Sequence, residues 1–132
     1  MLQLTDQADL EARELLMTED CEWAVPGYAC TGRAGTTAFS RPMLAAFPDA
    51  AHQLDVVFAD GDYVVVEGRW NGNHTGPLAT PRGEIPATGR PLTLPFSMVT
   101  RFEGDLIASV HVYFDQMGFL AQLGLLPAPA AV

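Results

Sequence analysis

The sequence predicts an α+β fold, two helical segments followed by a four-stranded antiparallel meander, on three observations. Apolar residues recur at helical spacing in two early segments. After Pro48 the period shortens from 3.6 to 2. Two short Gly- and Asp-containing turns, Asp60-Gly61-Asp62 and Glu103-Gly104-Asp105, then divide the rest into strand pairs.

Each element can be justified in order. Over residues 6–16, Ala8, Ala12, Leu15 and Leu16 share one helical face, with Thr5 or Asp6 as the expected cap. Residues 21–25 read as a short strand stopped by Pro26-Gly27. Cys21 and Cys30 flank that stop almost symmetrically and are expected to be buried thiols rather than a disulfide. Phe39, Met43, Leu44 and Phe47 mark a second helix that ends before Pro48; Pro42 inside it predicts a kink or a late start. Strands are expected over residues 52–59, 63–74, 92–102 and 106–114, and a short amphipathic helix over 116–125. Residues 75–91 hold Gly76, Pro77, Pro81, Gly83, Pro86, Gly89 and Pro91 and predict an irregular loop. A single domain is expected over 1–127, with 128–132 as a frayed tail.

Composition excludes several classes. The chain has 132 residues, 48% hydrophobic and 17% charged, with 7 Lys plus Arg against 16 Asp plus Glu, a net charge of −9. Such a surface repels a nucleic-acid backbone and anionic lipid, so neither nucleic acid nor membrane is an expected partner. No apolar run approaches the ~20 residues of a membrane span, and the first residues lack the basic and apolar regions of a signal peptide. The expected location is cytoplasmic. No phosphate-binding glycine loop, nucleophile elbow or metal-spaced His/Cys cluster occurs, so neither metal nor cofactor is implied.

The last strand carries the candidate chemistry. Side chains alternate, so Ser109, His111, Tyr113 and Asp115 share one face and Val110, Val112 and Phe114 the other. If the polar face lines the concave side, Asp115 stands beside the apolar segment 117–126, where burial would raise its pKa towards the range useful near neutral pH. Asp115 is equally a helix N-cap. Asn caps but cannot take a proton, so Asp115→Asn is expected to keep stability and lose activity. His111 and Asp115 lie about 13 Å apart, too far to form a pair; Tyr113, about 6.6 Å from each, could share a substrate with Asp115. His74 is a candidate contact at a cavity mouth or a hydrogen-bonded turn histidine. Trp23 and Trp70 are candidate cavity walls or core. Arg101 is an anion or carbonyl anchor if it points inward and a solvated charge if it points outward. The decisive expectation is an enclosed apolar cavity of a few hundred Å³ in front of Asp115.

Pro26-Gly27, Ala46-Phe47-Pro48-Asp49, Gly72-x-His74-Thr75-Gly76-Pro77-Leu78, Pro86-x-Thr88-Gly89-Arg90, and Tyr113-Phe114-Asp115-Gln116 leading to Gln122-Leu123-Gly124-Leu125 occur in order between residues 20 and 127. In these motifs the chain resembles the SnoaL-like polyketide cyclases (ester cyclase group) of the nuclear-transport-factor-2-like superfamily. The resemblance implies a cone-shaped, bent antiparallel sheet wrapped by N-terminal helices, the cystatin-like α+β barrel. It implies homo-oligomers (dimer or tetramer), with the outer face of Tyr63, Val65, Glu67 and Arg69 as a contact. It further implies cofactor-free intramolecular aldol closure of a polyketide ester, as in antibiotic biosynthesis, with Asp115 as acid/base and Thr100 or Arg101 near the polarised carbonyl. A non-catalytic small-molecule-binding or dimerisation module is the alternative. A hydroxylase or epoxide-hydrolase-like relative is another, and would want a second cavity carboxylate from Glu67 or Asp55.

Overall fold

A computed structural model describes residues 1–126; the expected frayed tail lies outside the described residues. The front of the chain forms two short helices, α1 (Leu2–Asp6) and α2 (Leu10–Glu14), where one was expected. Ala8 adopts φ 58°, which interrupts the helix, and Asp9 restarts it by accepting from the Ala12 N–H at 3.2 Å. Strands β1 (Met17–Val25) and β2 (Tyr28–Thr31) form a hairpin about Pro26-Gly27, with Trp23 opposite Cys30. Cys21 is therefore two residues out of register with Cys30, and both are free thiols.

Helix α3 (Arg33–Ala46) begins well before the apolar pattern and runs through Pro42, whose ring removes one backbone donor without ending it. Strands β3 (Ala51–Asp60) and β4 (Tyr63–Asn73) follow. The segment expected to be wholly irregular contains a small hairpin, β5 (Leu78–Thr80) and β6 (Gly83–Ile85). Its prolines lie outside those two strands, and Gly83 supplies the positive φ of 116° at the turn. Strands β7 (Pro91–Glu103) and β8 (Leu106–Phe114) complete the meander, and α4 (Gln116–Gln122) closes the fold.

Six strands make one sheet in the order β2-β1-β8-β7-β4-β3. The expected meander is its β8-β7-β4-β3 part; β1 joins β8 in parallel, with Trp23 level with Val110. The sheet bends. Register slips between Leu54 and Val56, opposite Gly68, where an added Cβ would lie 2.3 Å from the Gln53 carbonyl oxygen. The concave face carries Val66 and Trp70 of β4, Leu92, Leu94, Phe96 and Met98 of β7, and Val110 of β8, all buried. Phe47 leaves α3 to pack edge-on against Trp70 at 5.2 Å and stack on His74 at 5.1 Å. No helix among the described residues is long and apolar enough to cross a membrane.

Candidate active site

Between the helices and the concave face lies a cavity of about 110 Å³. This is smaller than expected and close to the ~150 Å³ known to hold one benzene ring. Its sheet wall is apolar: Trp70 of β4, Leu94, Phe96 and Met98 of β7, Val112 and Phe114 of β8. Trp23 and Val25 of β1 form a second side, and Phe39, Met43 and Leu44 of α3 a third. Four polar residues converge on it from four different elements: Thr5, Arg13, Ser40 and His52.

The expected assignment of faces on the last strand is reversed. Val112 and Phe114 face the cavity, because they pair with Met98 and Phe96 of β7 and continue its apolar surface. His111 and Tyr113 lie on the opposite side, Tyr113 with 58% exposure. Aiming that polar face inward would desolvate His111 and Tyr113 and leave Val112 and Phe114 in water. Asp115 is exposed and caps α4; its Oδ1 accepts from the Gly118 N–H at 3.0 Å. Gly118 leaves room for the cap, since a Cβ there would sit 2.7 Å from Asp115 Oδ2. None of the three candidate catalytic residues lines the cavity.

The four candidate binding residues divide evenly. Trp23 and Trp70 stand in the cavity wall. Arg101 is on the outer face, paired with Glu103 at 3.3 Å, and Thr100 is buried on the inner side. His74 is fully buried outside the cavity. Its Nδ1 accepts from the Thr88 N–H at 3.2 Å and lies 2.9 Å from the Thr88 hydroxyl, so it pins the 75–91 segment to the core. This is the turn histidine. Glu67 and Asp55, the candidate second carboxylates, are exposed, and Asp55 is paired with Arg69.

The titratable residue that does line the cavity, His52, was not anticipated. His52 opens β3 directly opposite Trp70, and its ring meets Phe96 edge-on at 5.5 Å. Asp6, at the end of α1, grips it twice. Asp6 Oδ2 accepts from the His52 backbone N–H at 2.9 Å, and Oδ1 lies 2.5 Å from Nδ1. With Asp6 ionised, Nδ1 carries the proton and donates, leaving the Nε2 lone pair free. Burial holds His52 below its ordinary value; Asp6 pulls it up and Arg13 pushes it down. The ring is neutral near pH 7. In the sequence only the alternation hinted at it, since the partner acid lies forty-six residues away.

Arg13 is the other unanticipated residue, at 1% exposure. Thr36 and Ser40, one turn apart on α3, present hydroxyls to it.

A family model described as SnoaL-like polyketide cyclase matches residues 1–123. No curated protein matches the chain. Among solved structures it is similar to IdmH of Streptomyces antibioticus, provisionally described as a polyketide cyclase, at 23% identity and TM-score 0.77 over 93% of this chain and 92% of that one. AclR of Streptomyces galilaeus, provisionally a hydroxylase, is similar at 18% identity and TM-score 0.79 over 96% and 91%. A hypothetical protein of Catenulispora acidiphila with a ketosteroid isomerase-like fold is similar at 21% identity and TM-score 0.77 over 94% and 88%.

Proposed function

Because the chain belongs to the SnoaL-like polyketide cyclase family, we propose that it closes or isomerises a small polyketide-like carbonyl compound by acid/base catalysis, with His52 as the base. The observation carrying this reading is a neutral histidine, oriented by a carboxylate, in the wall of a largely apolar cavity. His52 Nε2 takes the proton from a carbon flanked by two carbonyls. The resulting enolate carbon attacks a second carbonyl, forming the ring C–C bond and an alkoxide. The imidazolium returns the proton to that alkoxide, so the enzyme ends as it began. Asp6 stabilises the transient imidazolium and fixes its tautomer. The cavity contributes by holding the reacting carbons together, which removes part of the entropic cost of closure. Its volume supports a substrate of one ring or a short chain rather than a multi-ring polyketide.

The first half of the reaction can be tested without the natural substrate. Acetylacetone in deuterated buffer exchanges its central hydrogens without any catalyst, and NMR of rapidly quenched samples follows the loss against that buffer rate. The protein is expected to accelerate exchange, and His52→Gln to return it to the buffer rate. Equal acceleration by a folded His52→Gln protein overturns the assignment.

A further inference from the structure

A guanidinium taken out of water needs an anion or a full set of acceptors, because its desolvation is costly. Arg13 has neither. Its Nη1 donates to Thr5 Oγ1 at 3.1 Å and Ser40 Oγ at 2.9 Å, and Nη2 reaches Thr36 Oγ1 only at 3.5 Å. All three acceptors are neutral hydroxyls, and Nε has no partner. The charge lies 5.3 Å from the centre of the Trp23 ring, whose own buried Nε1–H also lacks an acceptor.

Two carboxylates near it are engaged elsewhere. Glu14 accepts from the Thr37 hydroxyl, and Asp6 holds His52. Among the described residues no carboxylate forms an ion pair with Arg13. The cavity wall thus contains a permanent positive charge and a neighbouring indole N–H, two buried donor groups short of an acceptor.

We infer that the ligand of this cavity carries a carboxylate, bound by the Arg13 guanidinium and the Trp23 indole N–H, so that the substrate is a small free keto acid rather than its ester. This rests on the reading of the cavity as the reaction site and deepens it. An anchored carboxylate fixes which carbon of the substrate meets His52. It also cancels the positive charge that disfavours protonation of His52, so the base strengthens when the ligand is in place.

Benzoate, methyl benzoate and benzamide share a body of suitable size and differ in charge. Titrated into the full chain at pH 7 and followed by tryptophan fluorescence and calorimetry, benzoate is expected to bind at least tenfold tighter than the two neutral probes. Arg13→Met should abolish that preference, and Arg13→Lys should retain part of it. The inference is overturned if the wild-type protein binds benzoate and methyl benzoate within twofold, prefers the ester, or binds none of the three at millimolar concentration. This comparison needs no variant and so survives a misfolded Arg13→Met. Absence of the preference alongside His52-dependent exchange of acetylacetone sinks the carboxylate site and spares the catalytic reading. The preference without any exchange does the reverse.

Discussion

Asp6 and Asp115 both sit at a helix end next to a strand of the same sheet, yet they do opposite work. Asp115 ends β8 and spends an oxygen on the first turn of α4, in solvent. Asp6 ends α1, makes no bond to the following turn, and reaches across to β3, where both oxygens engage His52. The difference is one of side. Asp115 follows Phe114 on the strand and takes the outward position, whereas α1 lies over the concave mouth. A carboxylate's residue type and its distance from a strand end therefore say little until the inward face is known.

The contrast can be broken most severely through His52. His52→Gln is expected to lower turnover by roughly 10²–10⁴, the usual contribution of a general base, while Asp115→Asn stays within twofold of wild type. The reverse result, measured on the same substrate, would restore Asp115 as the base. Asp6→Asn comes next, with a loss of about 10² because the tautomer and the imidazolium lose their support.

A smaller effect lies in the pH profile. Burial, the largest influence, keeps the His52 ring neutral as pH falls through about 6.5. The acid limb of kcat/KM is therefore expected below that value, and lower again in Asp6→Asn, which loses the upward pull. In the unfolded chain the imidazole protonates near 6.5 while the folded ring does not. Stability is thus greatest above 6.5, declines as pH drops below it, and levels off once the folded ring protonates too. His74, also held low by burial, adds in the same direction. Thermal melts between pH 8 and 5 check the sign. The mildest change is at the cap itself: Asp115→Ala should cost about 1 kcal/mol in denaturant unfolding, and Asp115→Asn much less.

Strand periodicity made most of the fold legible, since alternation from residue 52 onward and the turns at Gly61 and Gly104 appear in the sheet as read. The parallel junction of β1 with β8 was not legible, because it joins strands some eighty residues apart and leaves no local pattern. Nor was the inward face of β8. Alternation says which residues share a side, and only pairing with the apolar row on β7 says that Val112 and Phe114 look inward. Trp23 and Trp70 stand in the wall because large aromatics turn inward whichever way the sheet curves. Arg13 and His52 were missed because their significance depends on Ser40, Thr36 and Asp6, partners brought together only by docking helices on the sheet.

The grip of Asp6 on residue 52 has a thermal consequence. Half of the proposed catalytic pair rides on a five-residue helix with no buried side chain of its own, while the other half belongs to the six-stranded sheet. Short, lightly anchored segments release at lower free energy than a sheet does. Inactivation on warming should therefore precede melting, and catalytic half-life will report the detachment of α1 rather than the endurance of the cone beneath it.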